Sequence, residues 1–262
     1  GALLEVEERT VVGRLGSPLE LRGTAFRRAC SAADLVAVEV PRAWQACLPA
    51  GAQLRMPAWV SQELLAAGES PVTLPAPIRK EVRRQTRRNA YELRFTTDVS
   101  DVRRFYAALY RPYVTARFGS GAVLVDEAQF LAVSRGMSLA MLTAAGDWVA
   151  GMLLQQRGAT LHLGWFGSTT VPPRAGASEV LDAGSIAWGA AQGVSRVVMG
   201  HSRPSLADGV VRYKCRFGAI VRPTRFPQRT VGLWVQRWSP ALVASLNAAG
   251  FVSFRDGQAC VY

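Results

Sequence analysis

Histidine is scarce in this chain of 262 residues: only His162 and His201 are present. A metal site built mainly on imidazole is therefore not expected. The four cysteines, Cys30, Cys47, Cys215 and Cys260, include no C-x-x-C pair and match no zinc spacing, so they read as reduced and mostly structural. No G-x-S-x-G elbow occurs, which removes the usual signature of an α/β-hydrolase serine. No apolar run approaches the ~18 residues that a bilayer span needs. Residues 1–8 are acidic and lack a basic stretch followed by an apolar one, so no secretory signal is expected and the protein reads as cytoplasmic. Internal repeats and low-complexity tracts are also lacking.

Acidic residues are outnumbered. Lys and Arg total 31 against 19 Asp and Glu, a net charge of +12. Such a surplus favours polyanionic partners, phosphates or nucleic acid, although it also serves solubility alone. With 49% hydrophobic and 19% charged residues the composition is globular.

Residues 1–74 read as a partial N-terminal α/β lobe and 75–262 as the main domain. In the first part, 34–40 alternate and are β-branched, a strand ended by Pro41. Residues 59–67 read as a short helix closed by Gly68. A hinge follows at Pro71, Pro75 and Pro77. Pro77 suits the start of a helix over 78–90. Basic pairs recur in that helix at Arg79/Lys80, Arg83/Arg84 and Arg87/Arg88. Four-residue spacing stacks them along one side, where like charges repel. A bound polyanion would offset that repulsion; a solvated basic face is the plain alternative.

Beyond it, 91–96 alternate as a strand, 99–118 as one long amphipathic helix with Val102, Phe105, Tyr106 and Leu109 inward, and 126–135 as a second helix. Three extended runs, 137–144, 148–156 and 160–168, are separated by Gly-bearing turns and predict an antiparallel meander. A Pro/Gly loop leads to a helix over 177–192. A buried strand follows at 194–199, then a polar loop at 200–209, a short helix at 210–217 and a later helix at 240–249.

Three segments carry a resemblance to the Fem-type (FemAB-like) branch of the GNAT acyltransferases. The first is IRKEVRRQTRR at 78–88 leading into YELRF at 91–95, similar to the basic helix before that family's second GNAT unit. The second is WVAGMLL at 148–154 followed by LHLGWFGS at 161–168, which looks like its central hairpin. The third is MGHS at 199–202 with GVVRYKCRFGA at 209–219, which resembles its "f-G-x-S" strand end and "G-x-x-x-F-K-x-x-W/F-G" helix. The likeness covers about residues 78–225. It implies an α/β (α+β) fold of GNAT type, with a central mixed, mostly antiparallel sheet flanked by helices. It implies an aminoacyl- or acyltransferase forming an amide on a small-molecule or peptide amine, with aminoacyl-tRNA or acyl-CoA as co-substrate, no tightly bound cofactor and no metal. Residues 1–74 are too few for the family's complete first unit, and the CoA-cradling motif of ordinary GNAT enzymes survives only as RAGA at 174–177.

Acyl transfer to an amine requires a held donor, hydrogen bonds to the tetrahedral oxyanion and a route for the amine proton. The loop bearing Arg174 and Gly176 precedes a helix, whose N-terminal N–H groups favour phosphate, although Glu179 in its first turn opposes this. The resemblance implies that the strand near 161–166 splays from its neighbour, so that its backbone binds the carbonyl. His162 and Trp165 are candidates for the acceptor pocket, and their odd separation predicts opposite faces. His201 is suited to accept the amine proton, with Ser202 and Arg203 positioning substrate. Tyr213 and Arg216 share a side of the short helix and Lys214 is offset; the resemblance implies that Lys214 contacts donor or acceptor. Asp208 either starts that helix or acts as a base. Three functions stay open: an aminoacyl-tRNA-dependent transferase, an N-acyltransferase using acyl-CoA or an acyl-carrier protein, and an inactive GNAT-fold module that binds nucleic acid.

Overall fold

A computed structural model describes residues 17–31, 33–48, 54–68, 70–119, 122–225, 228–256 and 258–261; the acidic stretch at 1–8 lies outside them. In chain order the elements begin with α1 (Thr24–Ser31), β1 (Leu35–Pro41), β2 (Leu54–Pro57) and β3 (Val60–Leu65). They continue with α2 (Ala76–Arg88), β4 (Tyr91–Thr96), α3 (Val99–Phe105), α4 (Arg111–Phe118) and α5 (Glu127–Val133). Then come β5 (Ser138–Ala144), β6 (Asp147–Arg157), β7 (Thr160–Ser168), α6 (Ala177–Ala191), β8 (Arg196–Ser202) and α7 (Gly209–Arg216). The last are β9 (Ile220–Pro223), β10 (Arg229–Val235), α8 (Pro240–Ala249), β11 (Val252–Arg255) and β12 (Gln258–Val261).

The chain forms two compact units. Among the described residues, one comprises those within 17–62, 201–215 and 220–261, the other those within 63–200 and 216–219. In the first unit, β1, β10 and β2 make an antiparallel sheet with β10 in the middle. Leu21, Val38, Val40, Leu48 and Trp234 pack on it, and Met56, Leu233, Ala249 and Phe251 form a second cluster.

The second unit is a mixed sheet flanked by helices. Strands β4, β5, β6 and β7 are antiparallel neighbours in that order. β8 then joins β7 in parallel, a pairing that needs a crossover, and α6 supplies it. α3, α5 and the segment between α3 and α4 pack on one face through Val102, Phe105, Tyr106, Leu109 and Phe130. Burying each of the two phenylalanines contributes about 1.5–3 kcal/mol. α6 covers other sheet residues, where Phe95 stacks on Trp188 at 5.2 Å and Leu161 lies against Gly189.

Three local expectations are corrected. Residues 59–67 do not form a helix. β3 runs through Val60–Leu65 with its first five residues buried, so interior sheet packing overrides the helix preference of Gln62, Glu63, Leu64 and Leu65. The predicted single helix over 99–118 contains a π-helical segment, Tyr106–Tyr110, in which the Arg111 N–H reaches back five residues to the Tyr106 carbonyl. Pro112 explains it: proline lacks an N–H and its ring crowds the carbonyl four residues earlier, so a wider turn accommodates it. Finally, Gly200, His201 and Ser202 continue strand β8 and do not belong to the loop.

Two glycines allow the helical layer to approach. Gly151 and Gly167 face each other across β6 and β7. A Cβ on Gly151 would meet the Phe105 ring at 2.8 Å. One on Gly167 would meet backbone, Tyr110 N at 2.6 Å and Leu109 C at 2.7 Å. A ring shifts more readily than a backbone, so Gly167→Ala is expected to destabilise the fold by about 1–3 kcal/mol and to do so more than Gly151→Ala. Thermal melts of the two variants check the order.

Candidate functional site

β7 and β8 pair at only three positions, Thr160 with Arg196, Leu161 with Val197 and His162 with Val198. Beyond them β7 continues to Ser168 with no β8 partner, so the two parallel strands part. The pairing of β6 with β7 shifts between Met152 and Leu154, which sit opposite Phe166 and Leu163, leaving an extra residue in β7. This bulge corrects the expectation that His162 and Trp165 face opposite ways. Leu161 packs against Gly189 of α6, so His162 points to the other face, and the extra residue returns Trp165 to that same face. There Trp165 packs against Tyr110 and Phe130, with ring centroids 5.5 and 4.9 Å away.

In the first unit the ends of β3 and β8 and the inner face of α7 bring polar groups together. Asp208 starts α7 as its N-cap: its carboxylate accepts from the Val210 and Val211 N–H groups at 2.8 and 2.9 Å. Val211 and Lys214, three apart on that helix, are both buried. Val211 packs with Val60 and Val252. Lys214 Nζ donates to Gln62 Oε1, to the His201 carbonyl and to Ser202 Oγ, each at 3.1 Å. Ser202 Oγ in turn donates to Gln62 Oε1 at 2.8 Å. Lys214 is 7% exposed, too little for a solvated surface lysine. Three oxygens match the three hydrogens of the ammonium, which makes burial of that charge tolerable.

His201 and Arg203, on either side of buried Ser202, are exposed. The Arg203 guanidinium stacks on Trp59 at 4.1 Å from the ring centroid. The loop after Ser202 is fastened by Ser205, whose hydroxyl bonds the Ala249 carbonyl, and by the Leu206 N–H on the Gly250 carbonyl at 3.0 Å. Tyr213 is half-buried.

The remaining candidates lie in the second unit. Arg79, Lys80, Arg83, Arg84, Arg87 and Arg88 are all exposed along α2. Among the described residues, the ion pair that involves one of these six joins Arg84 to Glu81 at 2.7 Å. Gly176, in the left-handed region at φ 75°, starts α6 so close to α2 that a Cβ would strike the Gln85 side chain at 2.6 Å. Asn89 Nδ2 and Tyr91 Oη donate to the Ala175 carbonyl at 3.3 and 3.0 Å, fastening the same loop. The structure therefore sets exposed Arg174 and the α6 N-terminus beside the basic helix. Arg216 lines a cleft of about 380 Å³ with Pro75, Pro77, Ile78, Glu81 and Glu179. Hydrogen bonds from Arg84 and Gln85, with the Arg84 and Arg216 charges, lower the Glu81 carboxyl to about 2. Among the described residues no three His, Cys, Asp or Glu side chains gather as a metal site.

Trp59, Gln62 and Glu63, the partner of Arg196, escaped sequence reasoning because their segment reads as helical. Arg196 grips buried Glu63 with two bonds of 2.9 and 2.6 Å. No alternation of apolar and polar residues in 60–65 announced the strand.

No protein-family model matches the chain, and no curated protein matches it by sequence. Solved structures similar to it include L-PGS from Bacillus licheniformis, with 14% identity over 89% of this chain and 78% of that one and a TM-score of 0.47. FemX gives 10% identity over 80% of this chain and 68% of its own, with a TM-score of 0.47. A GCN5-related N-acetyltransferase from Sphaerobacter thermophilus gives 16% identity over 75% and 66%, with a TM-score of 0.44. The fold class stands on the chain's own architecture, a mixed sheet flanked by helices.

Burial depresses the His162 imidazole below its ordinary value of 6.5, and Arg157 and Arg196 push it the same way while Glu63 opposes them. The unfolded chain therefore takes up a proton near pH 6.5 that the folded protein resists. Stability is expected to fall as pH drops below that value, down to the lowered folded value. Urea melts at pH 7.5 and 5.5 should show a smaller loss in His162→Gln than in wild type, and equal losses would contradict the assignment.

Proposed function

We propose that the protein is an acyltransferase of the GNAT type that forms an amide on an amine acceptor, with aminoacyl-tRNA as donor. The observation that carries this reading is the buried Lys214 ammonium, held by Gln62, Ser202 and the His201 carbonyl at the carboxyl end of a sheet strand. Ligands of open α/β sheets bind at that end of the strands.

In this reading the amine attacks the ester carbonyl of the donor, and the C–O bond to the terminal ribose then breaks. His201, exposed at the strand end, takes the amine proton and returns it to the departing ribose oxygen. Ser202 and Arg203 position the substrate, and Lys214 supplies positive charge near the developing oxyanion. Tyr213 and Asp208 stand on or before the same helix, Asp208 as its cap. The exposed row on α2 grips the acceptor stem through phosphates without reading sequence. A second reading, an acyl-CoA-dependent N-acyltransferase, is favoured by the N-terminus of α6 with Gly176 and Arg174, where a diphosphate would meet free N–H groups.

Binding of bulk charged tRNA and of acetyl-CoA across a salt series separates them. Aminoacyl-tRNA use predicts tight tRNA binding that weakens steeply with salt. Arg83→Glu with Arg87→Glu should then weaken binding uniformly across tRNAs and lower the salt slope by about 1 for each phosphate that the protein no longer neutralises. CoA binding with an unchanged tRNA slope in that variant would select the second reading.

A further inference from the structure

Gln62 is wholly buried, at 0% exposure. Its carboxamide oxygen accepts from Ser202 Oγ at 2.8 Å and from Lys214 Nζ at 3.1 Å. An ammonium has only hydrogens to offer, so the oxygen must face it; turning the amide over would set N–H groups against each other. The orientation is therefore fixed, and Nε2 points away from both partners. That nitrogen is buried and makes no hydrogen bond among the described residues. Buried donors left this way are rare, because folding strips off their water and returns nothing. Where one persists inside an otherwise satisfied polar cluster, a ligand group that completes it is the natural explanation.

The cluster tells what kind of group. An unpaired carboxamide NH2 calls for an oxygen acceptor. The adjacent positive charge raises the value of that bond as the oxygen gains negative charge, and the buried surroundings strengthen both effects. His201 and Arg203, on either side of Ser202 in the chain, are exposed. We propose that Gln62 Nε2 receives the acyl carbonyl oxygen of the donor substrate and holds it as the oxyanion forms. This inference rests on the acyltransfer reading above and adds to it a residue from the N-terminal part of the chain.

Gln62→Glu tests it. This change keeps an oxygen for Ser202 and Lys214 but replaces the donor N–H by an acceptor. Gln62→Leu removes both. Thermal melts and single-turnover transfer are measured for wild type and both variants, with bulk charged tRNA or acetyl-CoA, whichever the wild type consumes. Gln62→Glu should melt at or above wild type yet transfer about a hundredfold more slowly, the loss typical of removing one oxyanion donor. Gln62→Leu should lose both stability and rate. A Gln62→Glu variant with the wild-type rate overturns the proposal. So does one whose melting temperature falls as far as that of Gln62→Leu, because Nε2 would then be holding the fold. Wild-type protein that consumes neither donor refutes the acyltransfer reading instead, and the melts alone then decide whether Nε2 is a structural donor.

Discussion

A lysine ammonium taken out of water has to meet an oxygen with each of its hydrogens, and that requirement organises the end of β8. Lys214 is met by Gln62, Ser202 and the His201 carbonyl. To meet it, β3 must run as a strand that presents Gln62 inward, β8 must continue through Ser202, and α7 must begin at Asp208 so that Val211 and Lys214 share its buried side. Removing any one acceptor leaves a buried charge under-bonded, which is far more damaging than the loss of a surface ion pair. The same requirement fixes the Gln62 amide and so leaves its nitrogen as the unfilled valence of the cluster.

Close approach is the second constraint, in the unit that holds the mixed sheet. Gly151 and Gly167 admit the helical layer to the sheet, Gly176 admits α6 to α2, and the π segment before Pro112 lets the chain stay helical across a proline. These features place the parted strands β7 and β8, the α6 N-terminus and the basic row of α2 within one compact unit. Exposed like charges along α2 are screened by salt and need no partner for the fold to stand. Their regular spacing nevertheless forms a track suited to a phosphate backbone.

Much of the mixed sheet was readable from sequence because its signals are local. Residues 91–96 alternate cleanly and emerge as β4, and Gly-bearing turns bounded the three strands of the meander. Asp208 was recognisable as a helix start, and Val102, Phe105, Tyr106 and Leu109 as the inward stripe. What was not readable depends on neighbours distant in sequence. The run through Gln62 favours a helix by propensity and becomes a strand because both of its faces are buried. The facing of His162 and Trp165 followed simple alternation until a one-residue bulge in β7 reversed it. The partners of Lys214 come from strands about 140 residues apart, Gln62 and Ser202, and no pattern within either segment announces that they meet.

The most direct measurement is the lifetime of the ester in bulk aminoacyl-tRNA mixed with excess protein and a pool of amines, followed in a single turnover with acetyl-CoA in parallel. The account predicts that wild-type protein shortens the ester lifetime and yields an amide, and that Lys214→Met does neither. An ester lifetime and an acetyl-CoA level both unchanged by wild-type protein would contradict it.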